Sequence, residues 1–343
     1  MVCIAAFIIL VLIGVFVALI SIFKKDFGKK YLRLLKKSFH CFSKKVRLQK
    51  CDTNFSDDVK TILLKKVVIN KPKLVKPLSI TIEVASILLV VITVWSIIEA
   101  AKAGLSLWVF GTCNVSQPSN CALGADSCGL DEDNLNWFSE WGEIFNNIPD
   151  RLRNWKVNDY DFETSFVTGN KESDNIALSI IDPGCSVCLQ SYKNVQKDQK
   201  FLDGHQIRVV LYPIKNTNGE LRFKNSEIIA KYILASNKQF KTDDYSAKII
   251  DRIFTQYDKD GTIYQEVFNN QLDNAEAVTM LDSWMKEWGV SDGDVKQIDL
   301  LAKSDEIAEI LQRNVSIVEQ QIRPKGIPTF VYDGGKHLGL FKP

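Results

Sequence analysis

The sequence predicts a mixed α/β domain with a long helical insertion, carried behind two transmembrane helices, and three observations predict it. Two apolar segments, Val2 to Phe23 and Leu78 to Ile98, are each long enough to cross a bilayer. An apolar, β-branched run, Ile176 to Ile181, leads straight into Asp182-Pro183-Gly184-Cys185-Ser186-Val187-Cys188 and then into a polar, periodic stretch. Near the C-terminus stands Gly326-Ile327-Pro328-Thr329-Phe330-Val331, a strand-like run in which proline is disfavoured unless it takes an edge or a tight cis turn.

The first apolar segment carries no charged residue, and its lysines follow the apolar run instead of preceding it. It therefore reads as a spanning helix and not as a cleaved leader. The second carries one charge, Glu83, near one end and within reach of the interface. Between Lys24 and Lys76 there are 17 Lys or Arg against 4 Asp or Glu, although the whole chain is only +2. Basic residues concentrated between two spans place the loop in the cytoplasm and both chain ends outside. The loop mixes apolar residues with its lysines, so it is expected to lie on anionic lipid. A polybasic stretch beside a span serves orientation and lipid attraction more often than RNA binding, and no nucleic-acid partner is expected. The expected organisation is helix 1–23, basic loop 24–77, helix 78–99, Cys-containing linker 100–160, and an α/β domain 161–343 with its insertion at about 226–322.

Five of the eight cysteines, Cys113, Cys121, Cys128, Cys185 and Cys188, follow the second span, in what this topology makes an oxidising compartment. Cys41 and Cys51 fall in the cytoplasmic loop and Cys3 at the outer end of the first span. The stretch from Gly111 to Gly129 reads as a loop stapled by one disulfide among Cys113, Cys121 and Cys128. One of the three is then left over, free or available to exchange with the Cys185/Cys188 pair.

After Ile176–Ile181 the two cysteines open a helix. At a helix N-terminus the unpaired N–H groups and a partial charge of roughly half a unit stabilise a thiolate. The spacing puts Cys188 one turn from Cys185, so one sulfur can attack while the other resolves a mixed disulfide. The same CxxC is half of many zinc sites, but the other candidate ligands, His205 and His337, are isolated in the sequence. No metal and no dissociable cofactor are expected. Phe162 to Thr168 reads as a first strand. Trp137, Trp141 and Trp155 belong to a linker helix that packs on the domain or at the membrane surface. In the insertion, Ile228/Ile229/Tyr232/Ile233, Ile249/Ile250/Ile253/Phe254 and Val278/Leu281/Trp284/Trp288 recur at helical spacing and read as core. Ser226 and Asp243 are the expected N-caps and Gly289 a stop. Asp258-Lys259-Asp260-Gly261 lacks the remaining ligands of a calcium loop and reads as a turn.

In these motifs the region from about Phe162 to Pro343 resembles the DsbA-like branch of the thioredoxin superfamily. The resemblance implies a thioredoxin-like fold and thiol-disulfide oxidoreductase activity, with Cys185 as nucleophile and Cys188 as resolving cysteine. It makes Pro328 a cis-proline and Ile327 the residue that pairs with substrate backbone. It also implies cysteine-containing exported proteins as substrates and a membrane electron-transfer partner. The sequence departs from the family in three ways. Ser179 stands where many relatives carry a buried acid, so proton transfer at Cys188 needs water or another group. Ser186 and Val187 separate the cysteines without a histidine or proline, so no charged neighbour there lowers the Cys185 pKa. The hairpin Phe330 to Phe341 is the last element before Pro343, leaving the place of a C-terminal helix to the Asn136 to Trp155 segment, to nothing, or to residues beyond a truncated end. The competing reading is a non-catalytic, membrane-tethered binding module with Cys185 and Cys188 locked as a structural disulfide.

Overall fold

The computed structural model describes residues 36–40, 43–44, 47, 74–117, 126–130, 135–216 and 218–342. The expected first span, most of the basic loop, and Cys3, Cys41, Cys51 and Cys121 lie outside the described residues. The chain divides into two compact units, Met1–Ala101 and Lys102–Pro343.

Helix α1, Val75–Phe110, extends the expected second span at both ends. Its 36 residues measure about 54 Å at 1.5 Å each, more than a hydrocarbon core of roughly 30 Å. Its most apolar stretch has a mean hydropathy of 2.3, and among the described residues it is the one helix long and apolar enough to cross a membrane. The hydroxyls of Thr81, Ser86, Thr93 and Ser96 each donate to the carbonyl four residues back, at 2.6–3.0 Å, so these polar groups need no water.

In the second unit a two-residue strand β1, Cys128–Gly129, precedes helices α2, Trp137–Asn146, and α3, Ile148–Leu152. Asn136 caps α2 by accepting from the Ser139 amide at 2.9 Å. Glu140 on α2 takes Lys102 at 2.7 Å and the Ser116 hydroxyl at 2.7 Å. Trp155 then bridges to Gly334 and is buried in the main core, so the upstream segment does reach the C-terminal hairpin.

The sheet comprises β2, Phe166–Gly169; β3, Ile176–Ile181; β4, Gln206–Leu211; β6, Thr329–Tyr332; and β7, Gly335–Leu338, in the order β2-β4-β3-β6-β7. Only β3 and β4 run parallel, with Ile181 opposite Leu211; the other pairs are antiparallel. The parallel step is made by α4, Ser186–Lys197, and α5, Gln199–Gly204. Because β3 is central, five of its six residues are buried, and apart from Ser179 its sequence is apolar instead of alternating. The hairpin β6–β7 turns at Asp333 and Gly334, both at positive φ, which an Asp-Gly pair tolerates.

Between β4 and β6 lies the helical insertion: α6, Ser226–Phe240; α7, Asp244–Thr255; α8, Asn274–Glu287; α9, Asp292–Ala302; and α10, Asp305–Ile317. Most of the expected stripe residues are buried, including Ile229, Tyr232, Ile249, Ile253, Leu281 and Trp284. Asp273 forms a capping box with Glu276, and Ser291 and Ser304 cap the next two helices. One cap expectation is corrected, and the other holds in position with its side chain turned elsewhere. Asn225, not Ser226, occupies the N-cap of α6, because the Ser226 hydroxyl is turned to Asp182. Asp243 does stand at the N-cap of α7, but its carboxylate takes the Val167 amide at 2.5 Å and Lys171 at 3.1 Å instead of capping. Gly289 follows α8 at φ +87°, and Asp258 accepts from the amides of Asp260 and Thr262 in a closed turn. The result is a mixed α/β domain with a helical insertion.

Candidate functional site

Strand β3 ends at Ile181, and the chain must turn sharply to enter α4. Asp182 makes that turn. Its carboxylate accepts from the amide of Gly184 at 2.6 Å, from the amide of Ile214 at 2.6 Å and from the Ser226 hydroxyl, which ties the loop to the end of β4 and to the start of α6. Gly184 has no room for a side chain: a Cβ there would lie 2.3 Å from Phe223 Cβ and 2.8 Å from Asn269 Oδ1. The insertion holds the same loop by its carbonyls. Gln265 donates to Pro183 and Cys185 at 2.8 and 3.0 Å, and Asn269 donates to Gly184 at 2.8 Å.

Cys185 is thereby fixed at the N-cap of α4, and Cys188 sits in its first turn. Both are fully buried. Strand β5, Gly326–Ile327, and the cis peptide Ile327–Pro328 bring the second motif to the same core. Thr329 Oγ1 donates back to the Gly326 carbonyl at 2.7 Å and steadies the turn.

The sulfur pairing differs from the simplest expectation. Cys185 is bonded to Cys128, 57 residues upstream, and Cys188 is a buried free thiol. Cys113 is disulfide-bonded as well. Of the three linker cysteines it is thus Cys128 that reaches the site, and the locked Cys185–Cys188 bridge of the competing reading is not the pairing present. Beside the disulfide, β1 pairs antiparallel with β5, placing Cys128 opposite Ile327 and Gly129 opposite Gly326. The reason Cys128 can be there is backbone complementarity: Leu130 donates to the Lys325 carbonyl at 3.1 Å, Leu340 donates to the Asp126 carbonyl at 2.8 Å, and Arg222 donates to the Gly129 carbonyl at 2.8 Å.

The electrostatics are set by burial. Burial pushes the Cys188 thiol well above its ordinary range; the Asp182 amide, 3.5 Å from its sulfur, pulls it back, and the Asp182 charge adds to the rise. Burial likewise pushes Asp182 up to about 6, opposed by the three hydrogen bonds it accepts and by the charge of Arg222. Ser179, the position considered for a buried acid, pairs with Phe330 and Val209 in the sheet. Among the described residues the fully buried acid is Asp182, three residues later, and its Asp-Pro-Gly setting was the available signal: a short carboxylate before a turn glycine bonds its own backbone. Gln265 and Asn269 had no such signal. They come from the turns after α7, far along the chain from the cysteines. Among the described residues no cluster of three or more His, Cys, Asp or Glu could hold a metal ion. His205 and His337 belong to the far end of the sheet, where the first stacks on Phe201 and the second on Tyr332.

What the arrangement can do chemically is exchange disulfides: a sulfur held at a helix N-terminus is bonded to a cysteine on an extended edge, with a second thiol one turn away. No protein-family profile matches the chain, and no curated protein matches it in sequence. Among solved structures, the chain is similar to the Proteus mirabilis protein ScsC in a transitional conformation, at 16% identity over 52% of this chain and 66% of that one, with a TM-score of 0.36. It is similar to the thiol-disulfide exchange protein α-DsbA2 of Wolbachia pipientis at 17% identity, over 52% and 80% of the two chains, with a TM-score of 0.35. A putative protein-disulfide isomerase of Pseudomonas syringae matches at 12% identity over 52% and 93%, with a TM-score of 0.38.

Proposed function

We propose that this chain is a membrane-anchored thiol-disulfide oxidoreductase that acts on cysteines of exported proteins. The observation that carries the reading is the convergence of Cys185 at a helix N-terminus, Cys188 one turn on, and the β5 edge ending in Ile327–Pro328. In this reading Cys185 is the nucleophile. Its thiolate attacks a substrate disulfide, a mixed disulfide forms, and one substrate sulfur leaves as a thiolate that takes up a proton. Cys188 then gives up its proton and attacks Cys185, releasing the second substrate sulfur and leaving a Cys185–Cys188 disulfide. Run in reverse, the same steps oxidise a substrate dithiol, and a membrane electron-transfer partner returns the pair to its starting state. Ile327 offers its backbone to an extended substrate segment and Pro328 shapes the turn behind it.

The membrane arrangement is part of the proposal. Two spans enclose the loop 24–77 on the cytoplasmic side, where its lysines lie on anionic lipid, and the α/β domain stands outside. The competing binding-module reading has less support, since Cys188 is a free thiol and cannot at the same time lock Cys185. The test is trapping in cells. Cys188→Ala should accumulate mixed disulfides with exported proteins, while Cys185→Ala should accumulate none. Equal trapping by both, or by neither, sinks the exchange reading.

A further inference from the structure

The edge assigned above to substrate is already occupied. We propose that residues 126–130 are a tethered occupant of the substrate edge, and that Cys128 is a third redox cysteine whose bond to Cys185 exchanges with Cys188. This inference rests on the exchange reading of the Cys185/Cys188 pair.

Four observations carry it. First, β1 is seated on β5 in antiparallel register, with Cys128 opposite Ile327, as an extended peptide adding itself to an edge would be. Second, apart from the disulfide, the hydrogen bonds holding the segment all use its main chain: the ladder itself, Leu130 to the Lys325 carbonyl, Leu340 to the Asp126 carbonyl, and Arg222 to the Gly129 carbonyl. Contacts of that kind suit many sequences and do not require this one. Third, the side chain that could have made the segment a dedicated structural element does not do so. Ser127 Oγ is buried without a hydrogen-bond partner beside Gly326, where a Cβ would meet it at 2.8 Å. A buried, unpaired hydroxyl favours release of the segment to water. Fourth, Cys188 is free and one turn from Cys185, so the assembly has the composition of a mixed disulfide with its resolving thiol waiting.

The exchange balances without an outside reagent. Cys188 loses its proton and its sulfur attacks Cys185 Sγ; the Cys185–Cys188 bond forms as the Cys128–Cys185 bond breaks, and Cys128 leaves as a thiolate that takes the proton up. One disulfide is consumed and one is made, so the oxidation level is unchanged. In one isomer the edge is closed by the chain itself. In the other, β1 can leave and an exported protein can take its place. Burial raises the Cys188 pKa, so less of this thiol is in the attacking thiolate form while the edge is closed.

The experiment uses the full-length protein in detergent micelles. The probe is a synthetic single-cysteine peptide blocked as its glutathione mixed disulfide, with reactions quenched in acid and thiols mapped by alkylation and mass spectrometry. In wild-type protein across graded glutathione ratios, the Cys128–Cys185 and Cys185–Cys188 bridges should interconvert; a Cys128–Cys185 bridge that persists until the protein unfolds overturns the proposal. A tethered segment competes at an effective concentration on the order of millimolar, so with micromolar peptide Cys128→Ser should speed exchange at Cys185 by roughly tenfold or more. If that variant fails to fold, Arg222→Gln, which keeps every cysteine, loosens the hold on Gly129 and removes a charge that acts on Asp182, should move the rate in the same direction. Active variants with wild-type rates overturn the tethered-occupant proposal while leaving the exchange reading intact. If Cys185 exchanges with the peptide in no form of the protein, the exchange reading itself falls and takes this one with it.

Discussion

The two partners of the Cys128–Cys185 bond are held in opposite ways. The loop 182–185 is gripped by side chains from three places: Asp182 reaches Ile214 and Ser226, and Gln265 and Asn269 reach the loop carbonyls. The segment 126–130 is held by main-chain hydrogen bonds, one covalent bond and the apolar packing of Leu130, with no side-chain hydrogen bond of its own among the described residues. Buried side-chain hydrogen bonds specify one geometry, because any other leaves a donor or acceptor unpaired. Edge pairing specifies only an extended backbone. The difference teaches which half of the site is built to stay and which is built to be replaced.

The largest effect should come from the first half. Asp182→Ala strips the acceptor from two amides and a hydroxyl in a dry site, and at about 1–3 kcal/mol for each group left unpaired the loss should be on the order of 3 kcal/mol or more. Thermal unfolding of the full chain, followed by near-ultraviolet circular dichroism, measures it. A loss below about 1 kcal/mol would mean that the loop is held by something other than this carboxylate.

A comparable effect should appear against pH. Burial raises Asp182 from 3.8 to about 6, so between those values the folded state keeps a proton that the unfolded state has lost. Stability then falls as pH rises through that window and levels off above it, by on the order of 3 kcal/mol at 1.36 kcal/mol per unit. Asp182→Asn should flatten this part of the profile, while costing stability at every pH because its amide group faces the Ile214 N–H. A slope that survives in Asp182→Asn would assign the titration to another group.

The smallest effect sharpens the comparison directly. Once the Cys128–Cys185 bond is reduced, the Leu130 amide should exchange with deuterium at least about tenfold faster than the Gly184 and Ile214 amides, a local opening at least about 1.4 kcal/mol below that of the loop. Equal protection would make the two halves one cooperative unit and remove the distinction drawn here.

Much of this was legible in the chain. The run Ile176–Ile181 announced a buried strand because a strand covered on both faces shows little polar alternation. The two cysteines announced the start of a helix, and the stripes of the insertion announced its buried faces. Cap positions were read less well. Ser226 looks like a cap in sequence, but a tertiary acceptor outcompeted its own backbone. In sequence Asp182 looks like an ordinary turn aspartate before Pro183-Gly184; only the approach of Ile214 and Ser226 makes it a buried clamp.

What the sequence determined by itself is what depends on residues near one another in the chain: an apolar span, a strand, a helix opened by two cysteines, and a turn ending in Ile327–Pro328. Local periodicity and short-range backbone preference are enough for those. The tertiary structure alone decided the sulfur pairing. Three linker cysteines and two in the CxxC allow several connectivities, and spacing cannot rank them. Cys128 meets Cys185 because β1 finds an unpaired antiparallel edge at β5, and a backbone edge accepts a strand by geometry that leaves no mark on side-chain pattern.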